Sequence, residues 1–308
     1  MIIGLIFRKL LIIFLVLIFV NVHVITAKSD TYEIGAGDKE EEEVEQVRVG
    51  NFALPTSQQP GPFIAFGQNV VDKGDTQLFT YVDYLKGQGE LFAEVIPSFL
   101  YGIRDDLSLF VEVPIAAKFQ LGSDTSHGLE DLYITAEYVF YSKNKLESAF
   151  LSTLVTTLIL PTGSANKTPS TGLGVPSFFL GLTAGYMDTE WYYYGSLGAI
   201  LTTVNKGIEI GNQFLYQWGL GKNISYAADS YIFNWLIEFD GTYRQKDKIK
   251  GITDQDSGGN VIFLGPSLWF STQRIIVQVG VSWVIAQHLF GVQEQDHYIV
   301  VGNLGWKF

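Results

Sequence analysis

From residue 76 to the last residue the chain alternates apolar and polar positions in strand-length stretches. Leu107, Leu109, Val111, Val113, Ile115, Ala117 and Phe119 make one wholly apolar set, and Ser108, Phe110, Glu112, Pro114, Ala116, Lys118 and Gln120 make the other. A period of two puts such sets on opposite faces of a strand. Leu91, Ala93, Val95, Pro97, Phe99, Tyr101 and Ile103 repeat the pattern against Glu90, Glu94 and Ser98. Tyr231, Phe233, Trp235, Ile237 and Phe239 repeat it against Asn234, Glu238 and Asp240, and Ile275 to Ile285 against Gln278 and Ser282. The pattern predicts twelve strands, at 76–86, 89–103, 107–119, 129–141, 149–160, 176–187, 191–204, 212–222, 231–244, 260–271, 274–286 and 297–308. The 149–160 stretch mixes threonine with apolar residues on both faces. Outward faces that are apolar along whole strands exclude a soluble sandwich, whose outer faces are polar. They fit an all-β, closed antiparallel transmembrane β-barrel, whose closure pairs every backbone N–H and C=O in hydrocarbon.

The connections fit the same fold. Arg104-Asp105-Asp106, Asp188-Thr189-Glu190 and Thr272-Gln273 are tight turns, whereas 120–128, 161–175, 205–211, 245–259 and 287–296 are longer. Barrels of this class have short periplasmic turns and longer external loops. An even strand number then puts both chain ends on the short-turn side; the short Gly87-Gln88 link is the exception. Tyr101, Tyr141, Phe150, Tyr186, Trp191, Tyr193, Tyr231, Phe270, Trp306 and Phe308 fall near short-turn ends, as an interfacial aromatic girdle requires. The chain closes on Gly305-Trp306-Lys307-Phe308, the terminal aromatic strand by which such proteins engage the barrel-assembly machinery. The expected location is the bacterial outer membrane, with its lipid as the surrounding partner.

Residues 1–27 read as a secretory signal peptide: Arg8 and Lys9 precede the apolar stretch from Leu10 to Val22, and Ala27 is a small residue suited to cleavage. Residues 28–74 form a separate N-terminal segment before a barrel of residues 75–308. Asp38 to Glu45 is an acidic run of the kind that forms a solvated tail. Asn51 to Phe66 contains Pro55, Pro60 and Pro62, which break regular structure, yet Phe52, Leu54, Phe63, Ile64 and Phe66 call for burial. Two positions satisfy this, a lead-in packed on the periplasmic rim or a plug inside the lumen. The narrowness of a twelve-stranded barrel favours the rim.

Composition narrows the classes further. There are no cysteines, so thiol chemistry and Cys-based zinc sites are absent. Loss of Arg8 and Lys9 with the signal takes the net charge from −12 to −14, which argues against nucleic acid as a partner.

Several motifs resemble a known family. The hairpin from Ile96 to Pro114, the Gly128-Leu129-Glu130-Asp131-Leu132 entry to the next strand, Leu160-Pro161-Thr162-Gly163 and the closing Gly305-Trp306-Lys307-Phe308 occur in the order seen in the transporter-like outer-membrane family named for the meta-pathway of phenol degradation. The resemblance covers roughly residues 90–308 and implies a barrel with an uptake role, in a family of which some members are associated with aromatic compounds. Asp105-Asp106 departs from the family's turn, and the acidic tail has no counterpart there.

Chemistry-bearing motifs are few. His127, His288 and His297 fall in or beside external loops, and a His288–Asp296 pair across the last loop is the one arrangement that suggests catalysis. The outward faces of the clearest strands lack the serine and histidine that a membrane hydrolase would present. Asp254 to Asn260 lacks the ligand spacing and final glutamate of a calcium loop. No catalytic residue, metal site or cofactor is therefore expected. The remaining candidates line the lumen: Glu94, Glu112, Lys118, Asp131, Glu137, Glu238, Asp240, Arg244 and Gln278. They would either form an acid-biased path that selects by charge or pair with one another and fill the barrel. The expected function is passage of small solutes. The alternatives are a structural or interaction barrel with a filled lumen and, more remotely, a hydrolase.

Overall fold

The computed structural model describes residues 47–205 and 207–308; the expected signal peptide and acidic run lie outside the described residues. β1 (Thr76–Gly87) and β2 (Glu90–Arg104) form the first hairpin. β3 (Leu107–Glu112) and β4 (Ile115–Leu121) are two parts of one stave of the wall, and β5 (Asp124–Leu129) and β6 (Leu132–Lys145) are two parts of the next. β7 (Ser148–Leu160), β8 (Ser177–Asp188) and β9 (Trp191–Leu201) follow, then the short β10 (Val204–Asn205) and β11 (Ile208–Glu209), then β12 (Gln213–Ala227) and β13 (Tyr231–Arg244). After the short β14 (Lys248–Ile249) and β15 (Ile252–Thr253) come β16 (Gly259–Thr272), β17 (Ile275–Leu289) and β18 (Asp296–Lys307).

Every pairing in the wall is antiparallel, and β1 pairs with both β2 and β18, so the sheet closes as twelve staves. Closure is sealed at the seam where the last residues meet the first: Phe308 donates its N–H to the carbonyl of Thr76 at 3.1 Å, and Lys307 forms an ion pair with Asp75. The four short segments make a separate small sheet, β10-β11-β14-β15, from the two longer loops at one end.

In the wall, the structure corrects the reading of the third stave and of the connection that follows it. The 120–128 stretch is not an open loop: β4 and β5 pair as a hairpin whose turn holds Gly122 at φ +59°. The third stave is broken at Val113-Pro114, because Pro114 has no N–H to give the ladder. Val113 there donates to the carbonyl of Pro97 and Glu130 donates to that of Pro114, each at 3.0 Å. Beyond this break the register of β4 on β2 slips, so that Ala116 faces Glu94 but Lys118 faces Ala93 and Phe119 faces Phe92. A slip of one residue reverses the two faces. Lys118 is thereby exposed on the outer face, and Phe119 is buried against Phe92 with ring centroids 5.0 Å apart.

The outward positions form an apolar surface that includes Leu78, Val82, Phe99, Leu182, Leu197, Val279 and Leu304. A surface of this extent belongs in lipid. The core lies inside the barrel, where Phe52 and Val71 of the N-terminal segment pack with Phe79, Leu100, Phe110, Tyr192, Leu236 and Trp269.

Val111 pairs with Phe99 on the outer face, and Glu112 pairs with buried Ser98 on the inner one. Val111→Arg is expected to destabilise the barrel by about 2–4 kcal/mol, the cost of a cation on a lipid-facing strand. Glu112→Gln is expected to be mild. Urea unfolding in lipid vesicles checks the pair, and equal losses would contradict the register of β3.

Candidate functional site

The lumen contains a loop of the protein's own chain. Residues 47–58 cross the short-turn mouth. Val47 donates to the carbonyl of Leu146 at 3.0 Å and Asn51 to that of Thr189 at 2.9 Å, both in turns. Phe52, Ala53 and Leu54 are fully buried there. The carbonyl of Ser57 accepts from Gln77 Nε2 and that of Gln58 from Ser271 Oγ. The chain then rises to mid-depth and returns to the same mouth. Val71 bonds to Ser108, Lys73 donates its backbone N–H to Asp105, and Gly74 donates to the carbonyl of Gly102. The rim position favoured by the sequence is thus corrected: this segment occupies the lumen.

Two carboxylates hold it at mid-depth. Glu238 Oε2 accepts the backbone N–H groups of Phe63 and Ile64 at 2.9 and 3.0 Å and the hydroxyl of Tyr194 at 2.7 Å, while its Oε1 accepts from Ser267 at 2.6 Å. Glu137 accepts the N–H groups of Gln68 at 2.5 Å and Asn69 at 3.0 Å and the Thr153 hydroxyl at 2.6 Å. Between them Phe66 donates its N–H to Gln217 Oε1, and its carbonyl accepts from Ser196. A segment containing Pro60 and Pro62 cannot extend a sheet, so its donors need side-chain acceptors. A carboxylate can accept several such bonds, and bonds to a charged acceptor are the stronger kind. Glycines make room for the loop: a Cβ on Gly181 or Gly198 would lie within 3.0 Å of the Phe66 ring.

The remaining lumen candidates have other surroundings. Glu94 lies directly opposite Asp83 of β1, and Glu112 sits between Ser98 and Tyr133 on neighbouring strands. Glu130 stands at the break between β5 and β6, so Asp83, Glu94, Glu112 and Glu130 come together on four adjacent staves. Of the two basic lumen candidates, Lys118 faces outward, and Arg244 ends β13 at the opposite end of the wall from the short turns, 3.7 Å from Asp247. Asp131 is buried and anchors the 161–176 loop by accepting the N–H groups of Gly163 and Leu173. Asp240 accepts from Gln217 Nε2 at 2.6 Å. Gln278 Oε1 accepts from Asn303 Nδ2, which leaves Gln278 Nε2 and Asn303 Oδ1 buried and unpaired.

Sequence reasoning missed Asp83, Tyr194 and Gln217. Asp83 shares its face with Gln77, Phe79 and Tyr81, so the period of two could have placed it. The hydroxyl of Tyr194 could not be matched with Glu238, which lies 44 residues away. His288 meets the ring of Phe290, and it is Gln287 that bonds the backbone of Asp296. Tyr101, Tyr186, Tyr193, Trp306 and Phe308 are outward and exposed near the short-turn end, with Trp191 stacked on Tyr193.

A closed twelve-stave wall with an apolar exterior and its polar groups turned inward defines an outer-membrane β-barrel. The chain belongs to the family described as "Putative MetA-pathway of phenol degradation", which matches residues 61–287. The COG4313 outer membrane channel from Pseudomonas putida F1 is similar in fold, with a TM-score of 0.66 at 15% identity over 80% of this chain and 100% of that one. The NanC porin (TM-score 0.48, 9% identity, 75% of this chain and all of the other) and LpxR from Salmonella typhimurium (0.46, 8%, 75% and all) are more distant. No curated protein matches the chain in sequence.

Glu238→Ala removes one acceptor from four donors, and each buried donor left unpaired costs about 1–3 kcal/mol. The expected result is local: the amides of Phe63 and Ile64 exchange with solvent much faster, while those of β13 and β16 keep their protection. Hydrogen exchange read by mass spectrometry or NMR checks this, and unchanged protection at residues 63–64 would contradict the anchoring role.

Proposed function

We propose that this protein is an outer-membrane channel for small solutes whose lumen is closed at rest by its own residues 47–71. One observation carries the reading. The segment in the lumen is held at mid-depth by side chains, chiefly Glu137, Glu238 and Gln217, and not by pairing with a wall strand. It can therefore withdraw while the ladders of the barrel stay intact. Both of its ends lie at the short-turn mouth, so withdrawal is toward the periplasm.

Selectivity in this reading follows from the acidic patch. Asp83, Glu94, Glu112 and Glu130 lie beside the aromatic cluster of Phe79, Tyr81 and Phe110, whose rings pack 5.8–6.4 Å apart. Inward carboxylates disfavour anions, and the aromatic faces accept an apolar or aromatic body. The solutes are then small, neutral or cationic, and partly apolar, which agrees with the description of the family. The unpaired Gln278 and Asn303 groups supply a donor and an acceptor for such a solute.

Planar bilayer recordings test the proposal. The native protein is expected to show small, cation-selective conductance, and Glu137→Ala combined with Glu238→Ala is expected to raise it several-fold. Asp83→Asn with Glu94→Gln should move the reversal potential in a salt gradient toward that of a non-selective pore. If the double alanine variant stays as closed as the native protein, the barrel is a structural one with a permanently filled lumen.

A further inference from the structure

A second feature lies on the outer wall, away from the lumen. Near the short-turn end Lys222 of β12 sits directly opposite Trp191 of β9 and directly opposite Trp235 of β13. All three occupy the lipid-facing side, since the alternate positions, Tyr192 and Leu236 among them, are buried inside. The lysine Nζ is 4.9 Å from the centroid of the Trp191 ring, which meets Trp235 edge to face at 6.4 Å. Glu190, in the adjoining turn, places Oε2 4.0 Å from the same Nζ with its side chain 68% exposed.

The strand is irregular beside this pair of charges. The register of β12 on β13 slips between Asn223 and Ser225, so Ile224 is left without a partner, and Asn223 donates its N–H to the carbonyl of Glu190 at 2.7 Å. A groove of about 440 Å³ lies beside the bulge, between Glu190, Lys222 and Tyr226. A cation on a lipid-facing strand is costly at the bilayer centre and tolerated where its stem can reach the interface. Lys222 lies five positions from the end of β12, at the level of the aromatic girdle, where headgroups meet the wall. At 4.0 Å the two charges are not joined by a hydrogen bond, and an exposed pair of this kind contributes little by itself. Both remain available to a ligand.

We propose that this groove binds a phospholipid whose headgroup carries a phosphate and a primary ammonium. The phosphate sits on Lys222, the ammonium on Glu190, and the glycerol and upper acyl chains lie on the faces of Trp191 and Trp235. Charge complementarity selects this lipid. A headgroup with only negative charge meets Glu190 unfavourably, and a quaternary ammonium offers Glu190 no N–H to accept.

Native mass spectrometry of the purified full-length protein tests the site. The protein is stripped of lipid in detergent and mixed with phosphatidylethanolamine, phosphatidylglycerol or phosphatidylcholine of the same acyl chains. One phosphatidylethanolamine is expected to survive activation that removes the other two. Lys222→Gln should cut its retention several-fold. Glu190→Gln should bring phosphatidylethanolamine down to the level of phosphatidylglycerol. Heat-modifiable gel mobility establishes that each variant is folded. Equal retention of the three lipids by the native protein overturns the proposal, as does undiminished phosphatidylethanolamine on folded Lys222→Gln.

Discussion

A peptide group removed from water must find a partner, and this requirement shapes both the wall and its contents. In the wall it is met by closure, with β1 taking β18 on one side and β2 on the other. Inside, the residues from Asn51 to Val71 have no strand to join, and their prolines forbid one. Their N–H groups go instead to Glu137, Gln217, Glu238 and Ser108. Two buried carboxylates, costly in isolation, become acceptable because several oriented donors surround each one. The interior of the barrel is arranged around these two residues.

That arrangement divides the lumen. Toward the short turns it is built like the core of a water-soluble protein, with Phe52, Leu100, Tyr192 and Trp269 packed around the inserted segment. Farther up, on the β1 to β6 side, the inward residues include the carboxylates Asp83, Glu94, Glu112 and Glu130 beside Tyr81 and Tyr133. The first half gives the barrel a folded interior, and the second gives it a charged compartment. Asp131 belongs to neither, because its oxygens hold the 161–176 loop in place.

Much of the wall is legible in the sequence, because a lipid face and an inner face impose a period of two. Residues 231–239 follow that alternation without a break. It fails at Lys118, where a bulge beyond Pro114 reverses the faces without any change in the composition of the strand. Ser123 to His127 reads as loop because a hairpin projecting beyond the membrane needs no apolar face. The inserted segment is the largest gap. Phe52, Leu54, Phe63, Ile64 and Phe66 announce burial, but a rim and a lumen make the same demand on composition. Glu137 and Glu238 can be placed inward from their spacing alone. That they receive the N–H groups of Phe63, Ile64, Gln68 and Asn69 cannot be read, because donor and acceptor lie 68 to 175 residues apart.

The inserted segment enters and leaves by one mouth, and Gly74 and Asp75 lead straight into β1. It is a slack loop and not a thread, so no chain end has to pass through the barrel for it to move. In binding terms it is a ligand attached to its own receptor by a short tether, present at an effective concentration that no free molecule in the periplasm matches. In the proposed channel, where the loop withdraws, any solute that occupies the same lumen competes with that tethered ligand. Its apparent affinity is lower than its contacts alone would give, by the fraction of time the loop is out. On that proposal the length of the tether, as much as the chemistry of the wall, sets the concentration at which a solute can hold the lumen open.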